Sequence, residues 1–237
     1  MKLSTPTSAR RQAFTLLEAV VVLGLIVILA GMISPGMGGT KMKASRIKCA
    51  SNLKQVALAF KVFANDNDGL FPFQLPAVTN AGLDRRAWTQ FLVLSNELGS
   101  AKILWCPGDK PWRSAATNFG WGAASSPQNL VTMQNNAVSY FIGVGARTNQ
   151  NNAILLGDCN VAASRSAPLY SSRSGDPFVS VPTTATWSTN SGHHDWAGNY
   201  ALADGSVQQV TESGLRAQLS RAEKEYDTNV NRFVFPQ

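Results

Sequence analysis

Residues 10–36 read RRQAFTLLEAVVVLGLIVILAGMISPG, and the position of one acid in them sets the problem. From Ala19 to Ile33 no residue is charged. With Phe14 to Leu17 the apolar run reaches about 20 residues, the length of a helix that crosses a bilayer. Glu18 interrupts it near its start. An acid at the centre of a bilayer costs roughly 2.5–3.5 kcal/mol on insertion scales, and less near the end of a segment. Either Glu18 is tolerated at the interface, or a positive partner waits for it.

The charge of the chain is distributed around this run. Lys and Arg number 21 against 14 Asp and Glu, a formal charge of +7. Lys2, Arg10 and Arg11 precede the run, Lys41, Lys43, Arg46, Lys48, Lys54 and Lys61 follow it, and no acid falls between Glu18 and Asp66. Basic residues flanking an apolar segment are explained more simply by anionic lipid headgroups than by nucleic acid, for which no motif is present. Because both flanks are basic, charge alone leaves the orientation open. A cleaved signal peptide would fit the basic start, but no small-x-small cleavage site ends the run. A plain signal anchor is the other simple reading.

Beyond the run, "SPGMGGTK" at 34–41 holds a proline and three glycines, which predict a kinked or melted helix. "RIKCASNLKQVALAFKVFANDNDG" at 46–69 is then an amphipathic helix: Leu53, Val56, Ala57, Phe60, Phe63 and Ala64 recur at three- and four-residue steps. "NDNDG" ends it with turn chemistry. Strands are expected at 102–106, 138–144 and 152–158, and as two alternating stretches within 199–210 about Asp204–Gly205. "SGLRAQLSRAEKE" reads as a helix with Ser213 as N-cap, "NRFVF" as a final strand, and 113–130 and 160–192 as long loops. The expected class is α+β, a long N-terminal helix packed on a small antiparallel sheet.

"AFTLLE" resembles the processing site of type IV prepilins and type II secretion pseudopilins. The resemblance implies a leader, 1–13, cut by a prepilin peptidase between Ala13 and Phe14, and N-methylation of Phe14. The family usually carries Gly where Ala13 stands. Glu18 becomes the fifth mature residue, pairing with the amino terminus of a neighbouring subunit, and Pro35 matches the family's helix-kinking proline. Residues 14–35 become the transmembrane half of a stalk, 36–65 its amphipathic half, and 66–237 the body. His194, nine intervening residues and Asp204–Gly205 resemble a His-x9-Asp-Gly signature found downstream of such leaders, and "LWCPGD" resembles the core of the same domains. A pilin-like structural subunit follows as the expectation, not an enzyme. It would sit in the inner membrane by a single pass with its body outside the cytoplasm. Its partners would be an assembly platform and other pilin-like subunits, and its destination a periplasmic pseudopilus or a surface filament. The alternative is a membrane-anchored extracytoplasmic module that binds glycan or metal without polymerising.

Candidate chemistry is sparse. His193, His194, Asp195 and Asp204 invite a metal reading, but adjacent histidines on a strand point to opposite faces, so a shared ion is disfavoured, and Asp204–Gly205 is accounted for by a turn. Asp66 and Asp68 offer oxygen ligands for Ca²⁺, but no Glu completes an EF-hand loop, and no other cofactor is implied. Cys49, Cys106 and Cys159 show no metal-type spacing; outside the cytoplasm one disulfide and one leftover thiol is one outcome, three reduced thiols the other. The family resemblance implies the pair Cys49–Cys106. Six tryptophans, all from Trp88 onward, fit a core or a glycan-binding face. No G-x-S-x-G, P-loop or H-E-x-x-H motif is present.

Overall fold

Alternation along the central strands sets the architecture. The computed structural model describes residues 15–33, 37–109, 113–120, 127–172, 177–188, 194 and 196–236. Its strands are β1 (Tyr140–Gly143), β2 (Ile154–Asp158), β3 (Val161–Ala162), β4 (Val179–Ser180), β5 (Thr186–Trp187), β6 (Ala197–Leu202), β7 (Val207–Thr211) and β8 (Arg232–Val234). Six form one sheet in the order β4–β8–β1–β2–β6–β7, with antiparallel neighbours throughout. The remaining two, β3 and β5, pair separately.

Successive residues of the central strands enter different cores, as a two-residue period requires. Tyr140, Ile142, Ala201 and Val234 join one cluster, and Phe141, Tyr200, Leu202 and Phe233 join the other. In β2 the register shifts between Ile154 and Leu156. Ile154 therefore belongs to the second cluster, while Leu155 and Leu156 both belong to the first, as expected at a bulge. Both faces are covered, so β1, β2 and β6 are buried along their whole length.

Helices supply the covers. The chain contains α1 (Leu16–Ile33), α2 (Met37–Asp66), α3 (Pro76–Asn80), α4 (Ala87–Val93), α5 (Ser95–Leu98), α6 (Leu130–Met133) and α7 (Glu212–Glu225). From α2, Cys49, Leu53, Val56, Ala57 and Phe60 are fully buried in the first cluster. Phe60 meets Phe71 and Phe91 edge-on, with both centroid distances 6.1 Å. On the other face, Leu215 and Leu219 of α7 lie in the second cluster. The result is an α+β fold with a six-stranded antiparallel sheet between helical layers.

The chain divides into two units, Met1–Lys41 and Met42–Gln237. In the first, the apolar side chains of α1 are exposed from Leu16 (84%) to Leu29 (54%). Among the described residues no helix is long and apolar enough to cross a membrane. The expected transmembrane segment, 14–35, begins and ends outside the described residues, as do Ala13, Phe14 and Pro35. Residues 34–36, between α1 and α2, lie outside the described residues; Gly38 and Gly39 lie inside α2 and do not melt it.

Other expectations need correction. Residues 102–106 are not a strand; Ala101–Leu104 is a 3₁₀ turn whose N-cap Ser100 accepts a hydrogen bond from the Lys102 amide. Its buried Ala101 and Leu104 are three apart, which suits a three-residue period. The last helix begins at Glu212; Ser213 is inside it, its hydroxyl against that of Thr211 at 3.1 Å. The loops 113–130 and 160–192 hold the start of α6 and the short strands β3, β4 and β5.

The burial of α2 generates a test. Phe60→Ala is expected to destabilise the body by about 3–5 kcal/mol. Leu58→Ala, at a position 58% exposed, should change stability by about 0.5 kcal/mol or less. Denaturant melts of both variants measure this, and equal losses would contradict the orientation of the helix.

Candidate functional site

The two ends of the His-x9-Asp-Gly segment both act on α2. At one end, Cys49 on the helix and Cys106 in the body form a disulfide with Cα atoms 5.1 Å apart. The imidazole of His194, only 7% exposed, lies against it, with Nε2 3.3 Å from Cys106 Sγ. The turn after Cys106 makes room, closed by the Asp109 amide donating to the Cys106 carbonyl. A Cβ on Gly108 in that turn would fall 3.1 Å from the imidazole carbon Cε1, tighter than ordinary packing.

At the other end, the β6–β7 turn supplies carbonyls. Gly205 has φ +85°, a conformation open to glycine at little cost, and the Asp204 carboxylate accepts from the Ser206 amide. The turn leaves the Asp204 and Gly205 carbonyls to accept from Lys61 Nζ (2.9 Å) and Lys54 Nζ (2.6 Å). Between the ends, Arg46 Nη2 donates to the carbonyls of Gly198 and Val210, while Asn199 Nδ2 donates to the Arg46 carbonyl. Residues 194–210 thus grip α2 from Arg46 to Lys61. The Lys61 contact is exposed and the Lys54 contact part-buried, and the disulfide and the apolar stripe add the buried part of the joint.

A buried acid stands behind His194. Asp158, at the end of β2, is fully buried, and its Oδ2 accepts from the backbone amide and the side-chain amide of Asn199 at 2.8 and 2.9 Å. The same oxygen is 3.6 Å from His194 Nε2. Burial pushes the Asp158 carboxyl up to about 7, against the opposing pull of Asn199 and of the Arg46 charge. Sequence reading missed Asp158, Asn199 and Arg46. The available signal was an acid closing an otherwise apolar strand, "ILLGD".

A second buried network adjoins the same turn. Asp109 Oδ2 accepts from Arg113 Nη1 and Ser139 Oγ, each at 2.8 Å. Arg113 Nη1 also lies 3.2 Å from the sulfur of Cys159, the one free cysteine, which is buried. Burial pushes the Cys159 thiol up to about 12, outweighing the attraction of Arg113.

The other candidates fall elsewhere. Asp66 and Asp68 are exposed where α2 ends; Asp68 has φ 53° and Gly69 φ 76°, and Asp66 takes a hydrogen bond from Asn65. They form a helix-ending turn; among the described residues, the group of three metal-ligating side chains that converges is Cys49, Cys106 and His194. His193 and Asp195 lie outside the described residues. Glu18 occupies the third position of α1, its amide donating to Thr15 Oγ1 at 3.2 Å. Of the described tryptophans only Trp196 is exposed, at 39%, with the Arg165 guanidinium 4.9 Å over its ring. A cavity of about 610 Å³ beside Arg85, Arg86 and Gln134 includes Trp88, which is 8% exposed and lacks the open ring face on which a sugar stacks.

Comparison with known protein families, with curated proteins and with solved structures finds no match to this chain.

Two outcomes are expected. The Cys49–Cys106 bond spans 57 residues, and loop-closure entropy for that length is worth about 4 kcal/mol. Cys49→Ala with Cys106→Ala should lose about that much stability in a denaturant melt, and a loss below about 1 kcal/mol would show that packing alone holds the helix. For Cys159, a thiol at about 12 is protonated at pH 8 and closed to solvent. A disulfide-exchange reagent should titrate no thiol in the native oxidised chain and one in denaturant, while rapid native labelling would refute the burial.

Proposed function

We propose that the chain is a pilin-like structural subunit. A prepilin peptidase removes residues 1–13, Phe14 is N-methylated, and the apolar segment 14–35 anchors the subunit in the inner membrane. The body stands outside the cytoplasm on α2 and enters a type IV pilus or type II secretion pseudopilus with other pilin-like subunits. The observation that carries this reading is α1. Its described side chains are apolar around the whole circumference and exposed, with Glu18 the sole acid. A helix of that composition needs lipid or other apolar helices around it. In hydrocarbon, a carboxylate on such a helix needs a positive partner, and the amino terminus created at Phe14 supplies one in a neighbouring subunit.

The grip of residues 194–210 on α2 supports the reading from the other side. A subunit pulled into a filament by its N-terminal helix transmits that force to its body through the joint. Here the joint combines a disulfide, an apolar stripe and polar contacts from Arg46 to Lys61.

Mass and N-terminal peptide analysis of the membrane form from native cells tests the processing. A mature chain beginning with N-methylated Phe14 is expected. A chain starting at Met1 would leave a plain anchor, and cleavage after the apolar run would make the protein secreted. Assembly is tested by Glu18→Ala. Cleavage should stay within about twofold of wild type while incorporation into sheared filaments falls by about tenfold or more. Normal incorporation of that variant would remove the pairing role.

A further inference from the structure

The cluster at the joint holds more than a staple. Cys49 Sγ, Cys106 Sγ and a ring nitrogen of His194 lie within 4.8 Å of one another, all three residues buried. Asp158 adds a carboxylate, with Oδ2 3.6 Å from His194 Nε2 and Oδ1 buried with no hydrogen-bond partner among the described residues. We propose that the stalk staple is one of two states of a single site: with the Cys49–Cys106 bond reduced, Cys49, Cys106, His194 and Asp158 bind one zinc ion.

The geometry favours an ion over a nucleophile. In a thiol–imidazole–acid relay the two ring nitrogens divide the work, one facing the thiol and the other the acid. Here one nitrogen, Nε2, faces both Cys106 Sγ at 3.3 Å and the Asp158 carboxylate at 3.6 Å. Bond lengths of about 2.3 Å to sulfur and about 2.0 Å to nitrogen or oxygen give a tetrahedral site N···S and N···O edges of roughly 3.3–3.6 Å. Two of the six edges therefore already match those of a zinc tetrahedron. The sulfur–sulfur edge must open, and the Asp158 carboxylate, which lies outside the 4.8 Å group formed by the two sulfurs and the imidazole, must move toward the sulfurs.

Donor chemistry selects the metal. Two thiolates and an imidazole suit zinc and disfavour Ca²⁺ or Mg²⁺, which take oxygen ligands. Four protein ligands from buried residues make a structural site, not a catalytic one. Oxidation excludes the ion, because the two sulfurs then share a bond and carry no thiolate charge. In the reductive step a dithiol gives two electrons and two protons to the Sγ–Sγ bond and closes to its own disulfide. Zinc binding then releases both thiol protons to solvent. Either state ties α2 to the body, so the joint survives a reducing environment. His194 acquires a role in the second state that a packing residue lacks.

Cobalt(II) titration of the full chain in detergent, with and without prior reduction by a phosphine, tests the assignment. The reduced chain is expected to bind one cobalt per chain with strong tetrahedral d–d bands and a thiolate charge-transfer band, all bleached by zinc. The oxidised chain should show neither band. His194→Ala should weaken cobalt binding on the order of 100-fold and shift the d–d bands, because a first ligand is lost where loss of an outer partner alone costs 10–100-fold. Asp158→Asn, close to isosteric, should weaken it by about tenfold and keeps the test open where His194→Ala fails to fold. Cys159→Ala should leave the titration unchanged. Absence of tetrahedral bands in the reduced wild type would overturn the proposal. So would unchanged spectra in the folded His194 and Asp158 variants, or loss of binding in Cys159→Ala.

Discussion

The covalent bond between α2 and the turn at Cys106 is the constraint on which the rest of the body is arranged. It brings a helix residue and a residue 57 positions later to a Cα separation of 5.1 Å, in the part of the core where His194, Asp158 and Gly108 also meet. Loop closure over that distance contributes about 4 kcal/mol, comparable with the burial of Phe60 in the apolar stripe. The rest of the joint sets direction more than strength. The carbonyls of the β6–β7 turn and of Gly198 fix the rotation of α2 about its axis, so that Leu53, Val56 and Phe60 face the sheet.

Seen from this joint, the His-x9-Asp-Gly segment is a measure of length. Its nine intervening residues carry the chain from the disulfide through β6 to the turn that meets Lys54 and Lys61. A histidine at one end and a glycine in the left-handed region at the other are needed for unrelated reasons. The first must fit beside sulfur and a buried carboxylate; the second must turn tightly while leaving carbonyls outward. The spacing between them is fixed by the strand, which couples the two requirements.

How much of this was legible in the sequence depended on the range of the interactions. Local period placed the amphipathic helix, the β1 and β2 strands and the Asp204–Gly205 hairpin, because each is determined by neighbours within a turn or a pleat. It misjudged residues 102–106, where a Ser cap and two buried residues three apart favour a 3₁₀ turn over an apolar strand. The two-residue strands inside 160–192 exist only through pairing with distant segments, β4 with β8 and β3 with β5, and leave no periodic trace. At the site, the motif residues were visible but their partners were not. Asp158 lies 36 residues before His194 and Arg46 lies 148 before it; the sheet order places Asp158, and the packing of α2 places Arg46.

The apolar helix poses the same question of partners at the other end of the chain. Thr15 accepts from the Glu18 amide, and a carboxylate in the first turn gains about 0.3–1 kcal/mol from the exposed amides of the helix end. That is a sufficient reason for an acid in this position of a helix in water. At the centre of a bilayer it is not, because an insertion cost of roughly 2.5–3.5 kcal/mol exceeds that gain; near the end of a segment the deficit is smaller. The local cap explains why Glu18 is tolerated at the start of the helix, and in the proposed membrane-embedded subunit it leaves a remainder for a charge from outside the helix to offset. An amine delivered by a second subunit offsets it only when the two helices are in one register. In the proposed filament, the residual cost of Glu18 is what makes the wrong registers unfavourable.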